Sequence, residues 1–185
     1  MAVHVCPWWL GYLLACPWRR FLQDPGKILG PYLREGMTVL EPGPGMGFFT
    51  LETARRVGSS GRVIAVEIQP KMLHRLKRRA EKAGLLGRLD ARLAMPESMN
   101  LDGLDGQVDF AFAFAVVHEM PDTDSFFLQT ARCLKPGGSL LLAEPAGHVK
   151  AGRFEQELAA AARAGFSVVD RPVIPRSRAA LFKKG

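Results

Sequence analysis

Short, nearly continuous apolar runs alternate along this chain with longer stretches in which apolar residues recur every three to four positions. Met37 to Leu40 reads as a buried strand, and a helical pattern runs from Phe49 to Val57. Arg62 to Glu67 is a second strand, and Gln69 to Gly84 a long helix with Met72, Leu76 and Ala80 on its inner stripe. Arg88 to Leu93 is a weaker third strand. From Gln107 to Val117, Phe110, Phe112 and Phe114 alternate with alanines, so this strand has one bulky face and one that allows close approach. Asp122 or Asp124 caps the next helix, which continues to Leu134. Pro136-Gly137-Gly138 then turns the chain into a strand at Leu140 to Ala143. A helix from Gly152 to Gly165 and strands at Ser167–Val173 and Ala179–Lys183 follow. Strands alternating with helices predict an α/β fold, and continuous apolar runs suit a parallel sheet covered on both faces.

Between the first strand and its helix lies Glu41-Pro42-Gly43-Pro44-Gly45-Met46-Gly47, with a glycine at every second position. Glycines there allow a sharp turn and close approach to a ligand. The following helix aims its unpaired N–H groups back at the loop. A dinucleotide fingerprint needs Gly-x-Gly-x-x-Gly, but position 48 is Phe; a P-loop needs Gly-Lys-Ser/Thr, which is absent. Glu41, immediately before the loop, repels a pyrophosphate and suits a cation. Glu67 closes the second strand, 20 residues after Gly47, where a carboxylate can accept hydrogen bonds from both hydroxyls of a ribose. Nicotinamide dinucleotides use the same device, so Glu67 alone leaves the ligand open.

Composition narrows the class. The 185 residues fit one domain with a real core, and no run of 18 apolar residues is present, so no stable membrane insertion is expected. Three scattered cysteines (Cys6, Cys16, Cys133) make no disulfide framework and fit reduced thiols in a cytoplasmic protein. The net charge of +7 raises RNA as a partner, but much of it sits on one predicted helix, from Lys71 to Lys82, as a solvated face. No metal site is expected. Before the core, Trp8-Trp9-Leu10-Gly11-Tyr12-Leu13-Leu14-Ala15-Cys16 is apolar and aromatic. Its last four residues look like a lipoprotein cleavage box, but no Lys or Arg precedes them and Pro7 breaks the segment. Residues 1–35 are therefore expected to form a helical cap over a core of residues 36–185, including a short helix from Lys27 to Leu33 with Pro31 as its weak point.

The glycine loop with Glu41 and Glu67, the segment Val116-Val117-His118-Glu119 after the fourth strand, and Leu134-Lys135-Pro136-Gly137-Gly138-Ser139-Leu140-Leu141-Leu142 together resemble the class I S-adenosylmethionine (SAM)-dependent methyltransferases, in their small-molecule branch. The resemblance covers residues 37–185. It implies a Rossmann-like, seven-stranded, mostly parallel sheet with helices on both faces and the last strand antiparallel. It also implies SAM as cofactor, lying across the carboxyl ends of strands one, two and four. Gly43, Gly45 and Gly47 would cradle the methionine portion, and Glu41 would act on its amino group. Glu67 would hold the ribose, Ile68, Met95 and Pro96 would flank the adenine, and Phe114 would line the methionine side. The family's acidic adenine contact falls on Met95 here, or on Glu97 if the alignment slips by two. His118 is the candidate general base, because its ordinary pKa is near neutrality.

The acceptor is expected to be a small molecule, and an apolar one given the aromatic N-terminus. Nucleic acid is not the expected partner, since the fourth strand lacks the Asp/Asn-Pro-Pro-Tyr/Phe ending used on exocyclic amines. A homodimer is a further expectation for the tryptophan-rich segment. Three alternatives stay open: a SAM-binding protein without catalysis, an RNA-directed methyltransferase, and an NAD-linked oxidoreductase.

Overall fold

A computed structural model describes residues 17–95 and 97–185. Expectations about Trp8, Trp9, Cys6, Cys16 and Pro96 therefore lie outside the described residues. The elements in chain order are α1 (Pro25–Leu29), β1 (Thr38–Pro42), α2 (Thr50–Arg56), β2 (Arg62–Glu67), α3 (Pro70–Lys82), β3 (Leu89–Leu93), β4 (Val108–Phe114), α4 (Thr123–Cys133), β5 (Leu134–Pro145), α5 (Ala151–Arg163), β6 (Phe166–Asp170) and β7 (Ser177–Lys184). Single 3-10 turns occupy Pro17–Phe21, Leu86–Arg88 and Val117–Glu119.

All seven strands form one sheet, in the order β3-β2-β1-β4-β5-β7-β6. The pairs β1–β2, β2–β3, β1–β4 and β4–β5 are parallel, and β7 runs antiparallel to both its neighbours. The last strand is thus the antiparallel one, as expected. The order reverses between β1 and β4, and in an open α/β sheet the crevice at the carboxyl ends of such strands is where ligands bind.

The two faces of β4 do what their alternation predicts. Phe110 and Phe112 join Leu29 of α1 and Phe49 and Ala54 around α2, with Tyr32 stacked on Phe110 at 5.6 Å. Ala111 and Ala113 let Phe126 and Phe127 of α4 and Phe154 and Leu158 of α5 close over the other face. Phe127 is fully buried and meets Phe126, Phe166 and Phe182 edge-on. Leu73 and Leu76 seat α3 on Ala65 of β2, which leaves its basic side outward.

Boundaries differ from the sequence reading in four places. The short helix spans Pro25–Leu29 and not Lys27–Leu33: Asp24 caps it by accepting from Gly26 N–H at 2.8 Å, and Pro31 has no N–H to extend it. Strand four ends at Phe114, because Ala115 takes a left-handed φ of +56°. Pro136-Gly137-Gly138 is not a turn ahead of strand five but an irregularity inside it: Leu134 already pairs with Val108, and the register then jumps to Ser139–Phe110. Strand six stops at Asp170, with Pro172 beyond it.

Candidate active site

The glycine loop follows directly from β1. Gly43 N–H donates to Val66 O at 2.9 Å, so the loop leaves the sheet alongside β2. Gly43, Gly45 and Gly47 all have left-handed φ (+67°, +56° and +84°), so the conformation requires glycine at each. Their surroundings separate their roles. A Cβ on Gly43 would lie 2.4 Å from Val116, and one on Gly47 2.4 Å from Leu76 of α3, while one on Gly45 would meet only Met72 Sδ at 3.8 Å. Gly47 is not among the residues that line the cleft, and its missing side chain makes room for Leu76. Gly43 and Gly45 do line it.

Glu67 ties the loop to β2. Its Oε2 accepts from Gly45 N–H at 3.0 Å and its Oε1 from Gln69 N–H at 2.9 Å, with the side chain buried at the cleft floor. Burial raises its pKa, against the pull of these backbone donors. Glu41 lies deeper. It is 3% exposed, and its Oε2 has no hydrogen-bond partner. Burial first, and the charge of Glu67 second, push Glu41 up to about 8, the Thr50 hydroxyl opposing them. A buried carboxyl with an open oxygen beside a glycine hollow is a place for a cation or a hydrogen-bond donor.

Of the other sequence-predicted contacts, Ile68, Met95 and Phe114 line the same cleft; Ile68 and Met95 are exposed at its rim, and Phe114 packs on Phe49 at 4.4 Å. Glu97, the alternative to Met95, lines it too. The cleft measures about 1240 Å³, more than the 300–1000 Å³ or so typical of one small-molecule site. Val116 lies over Gly43 of the loop, and Trp18, Leu22 and Met120 give the cleft an apolar wall. Arg19 crosses that wall with its guanidinium 4.6 Å from the Phe48 ring, a cation–π contact, and desolvation lowers its pKa.

His118 lines the same cleft, and its partner was not assigned from sequence. Its Nδ1 is hydrogen-bonded to Glu144 Oε2. Glu144 is fully buried at the end of β5, where its Oε1 accepts from Val117 N–H at 2.8 Å. Pairing of Phe114 with Ala143 sets this geometry: one residue beyond the pair, Glu144 meets the chain as it leaves β4. The Glu144 bond raises the His118 pKa; burial lowers it in part, and the charges of Glu119 and Glu157 raise it further. With Nδ1 held by Glu144, Nε2 stands 4.0 Å from Glu119 Oε1. His148 lies alongside, ring centres 6.3 Å apart. The only sequence signal for the pair was a carboxylate at a strand end, which is too common a feature to specify a partner.

A seven-stranded sheet in this order, a glycine loop after β1 and carboxylates ending β1 and β2 define the class I SAM-dependent methyltransferase. The chain belongs to the methyltransferase domain family, whose profile matches residues 33–173. It is similar to a SAM-dependent methyltransferase from Aquifex aeolicus, with 25% identity and a TM-score of 0.85 over 97% of this chain and 98% of that one. It is also 29% identical, over 127 residues, to the ubiquinone/menaquinone biosynthesis C-methyltransferase of Escherichia coli, covering 69% of this chain and 48% of that protein. The chain thus spans about half the length of the curated relatives it matches. A SAM-dependent O-methyltransferase from Thermotoga maritima shares the fold, with a TM-score of 0.69 at 22% identity over 87% of this chain and 64% of that one.

SAM is the cofactor of this family, and the residues fit it. The cleft holds a buried carboxyl with one open oxygen, a second carboxylate bonded to the glycine loop, and more volume than one small molecule fills. Among the described residues, no helix is long and apolar enough to cross a membrane, and no three His, Cys, Asp or Glu side chains gather as metal ligands.

Proposed function

We propose that this protein transfers the methyl group of SAM to a small, apolar acceptor, with His118 as general base. The observation that carries the reading is one cleft lined by the glycine hollow, by both carboxylates, by the Glu144-held His118 and by apolar side chains. Bound SAM supplies a methyl group already activated by its sulfonium. The chain's own work is then positioning, which can lower such a barrier by roughly 7–11 kcal/mol. Gly43 and Gly45 let the backbone close on the methionine portion, with Phe114 along it. Glu41 takes the amino group, and Glu67 exchanges its bond from Gly45 for the ribose hydroxyls. Ile68, Met95 and Pro96 flank the adenine. Glu144 fixes the imidazole so that Nε2 can take the acceptor's proton, which contributes where that proton must leave before or during transfer.

Residues 18, 19, 22 and 23 line the cleft, which supports the segment before residue 36 as a cap over the core. Gln23 anchors it by donating to Pro175 O at 3.2 Å. Exposed Trp18 and Phe21 extend this cap outward, and a homodimer through them, in the cytoplasm, completes the proposal.

The test is titration with SAM, followed by transfer of its labelled methyl group to fractions of an apolar metabolite library. The wild type binds SAM and labels a component. Glu67→Gln weakens SAM by about tenfold or more, the loss of one charge-assisted hydrogen bond. His118→Asn keeps SAM affinity and loses transfer, while wild-type transfer rises with pH through a midpoint above the ordinary imidazole value. A protein that binds SAM yet labels nothing is a binder without catalysis, and one that ignores SAM refutes the reading.

A further inference from the structure

Arg19 brings a positive charge into the cleft that none of the assigned roles uses. It lies in the 3-10 turn Pro17–Phe21, where its carbonyl accepts from Leu22 N–H at 3.0 Å and from Gln23 N–H at 2.8 Å. Its side chain lies over aromatic rings: the guanidinium carbon is 4.6 Å from the centre of Phe48, 5.6 Å from that of Phe49 and 5.7 Å from that of Phe114. Phe48 and Phe49 connect the glycine loop to α2, Phe114 ends β4, and Phe49 packs on Phe114 at 4.4 Å. On its other side, Arg19 Nε donates to Gln23 Oε1 at 3.1 Å, while Gln23 Nε2 donates to Pro175 O at 3.2 Å. The half-buried charge is thus braced where the exit of the glycine loop meets the end of β4.

A guanidinium drawn out of water is costly unless it meets an anion or an aromatic face. The ring faces supply part of that compensation. A carboxylate supplies more, because the planar fork of guanidinium N–H groups matches its two oxygens. SAM carries one such group: its methionine end is a zwitterion, with the carboxylate on the same carbon as the amino group. Glu41 takes the amino group in the reading above, and the carboxylate beside it has no assigned partner. We propose that Arg19 binds the α-carboxylate of SAM. The proposal rests on the methyltransferase reading, and on the methionine portion lying along Phe114. Glu41 and Arg19, which line the same cleft, then read the two opposite charges of one amino-acid end.

An acidic acceptor would offer the same chemistry, but the rings under Arg19 favour the cofactor. Phe48 directly follows Gly47 of the loop, and Phe114 is the side chain assigned to the methionine. The placement makes the segment ahead of the core part of the cofactor site. Trp18 and Leu22, one and three residues from Arg19, line the cleft with it. Seating the guanidinium on the carboxylate fixes these two side chains, so bound cofactor completes the apolar wall that the acceptor meets.

The experiment is calorimetric titration of the full chain with SAM and with decarboxylated SAM, which keeps the amine and the sulfonium and has hydrogen in place of the carboxylate. Arg19→Gln is expected to weaken SAM by about tenfold or more and to leave decarboxylated SAM within about twofold of its wild-type affinity. Arg19→Lys keeps the charge but not the fork, and recovers part of the loss. Equal weakening of both ligands in Arg19→Gln overturns the proposal, since it marks a loosened cap and no contact with the carboxylate. Unchanged SAM affinity overturns it too, and a loss of methyl transfer alongside would assign the charge to an acidic acceptor. If the variants do not fold, the Nε–H NMR signal of Arg19 in the wild type decides: it should move with SAM and stay in place with decarboxylated SAM, and the same displacement with both overturns the proposal. A wild type that binds neither ligand sinks the methyltransferase reading and this proposal together. Two ligands that bind with a ratio indifferent to Arg19 sink the proposal alone.

Discussion

Glu41 links the cofactor site to proton uptake, and Glu41→Gln makes that link measurable. The carboxyl is raised from its ordinary value of 4.5 to about 8. At pH 7, roughly 0.9 of the ligand-free molecules therefore carry the proton. A SAM cation placed against the open Oε2 favours the charged form, so binding at pH 7 expels up to about 0.9 proton. Calorimetry in two buffers of different ionisation enthalpy counts that proton directly. In Glu41→Gln the count falls to near zero, and SAM affinity drops about tenfold or more through the lost charge-assisted contact.

Stability follows the same shift. Between pH 4.5 and 8 the folded chain holds a proton that the unfolded chain has released, so this group lowers stability as pH rises through that window. By pH 7 the loss amounts to roughly 3 kcal/mol, an upper figure because local relaxation reduces it. Denaturant titrations of wild type minus Glu41→Gln should show the difference opening across this range. An unchanged proton count in the variant, or parallel stability curves, would refute the account of Glu41.

Further outcomes follow from the loop and the core. Gly47→Ala meets Leu76 and a φ of +84°, so it should cost about 2–4 kcal/mol and several degrees of Tm while the folded fraction keeps most of its SAM affinity. Gly45→Ala has space around its Cβ, so thermal melts should show a loss of only about 1–2 kcal/mol; ligand titration should show the larger defect. Cys133 is buried, and desolvation pushes its thiol to about 11. Its alkylation, mapped by peptide mass, should be about 100-fold slower than that of an ordinary thiol until the chain unfolds. Phe127→Ala should destabilise by about 3–5 kcal/mol in urea, with little effect on SAM binding per folded molecule.

The sequence determined much of this protein by local rules. Apolar runs marked the central strands β1, β2 and β4 and the Leu140–Ala143 portion of β5, because a residue buried on both faces of a sheet must be apolar. The Phe/Ala alternation of β4 foretold which helix layer could come close. Three glycines with a left-handed φ were legible because little else adopts that conformation. Where the reading slipped, a longer-range contact had intervened, as when Leu134 paired with Val108 across the Pro-Gly-Gly irregularity.

Tertiary structure alone decided what each polar group meets. Gly45 and Gly47 look alike in the sequence, yet one faces the cleft and the other faces Leu76, since only the packing of α3 separates them. Glu144 became the holder of His118 through the register of β4 against β5, 26 residues apart in the chain. Glu157 of α5 reads as one more acid on an amphipathic helix, yet it is 1% exposed, and burial raises it to about 7. Backbone conformation and face are imposed by neighbours along the chain, whereas desolvation and charge coupling depend on distances in space.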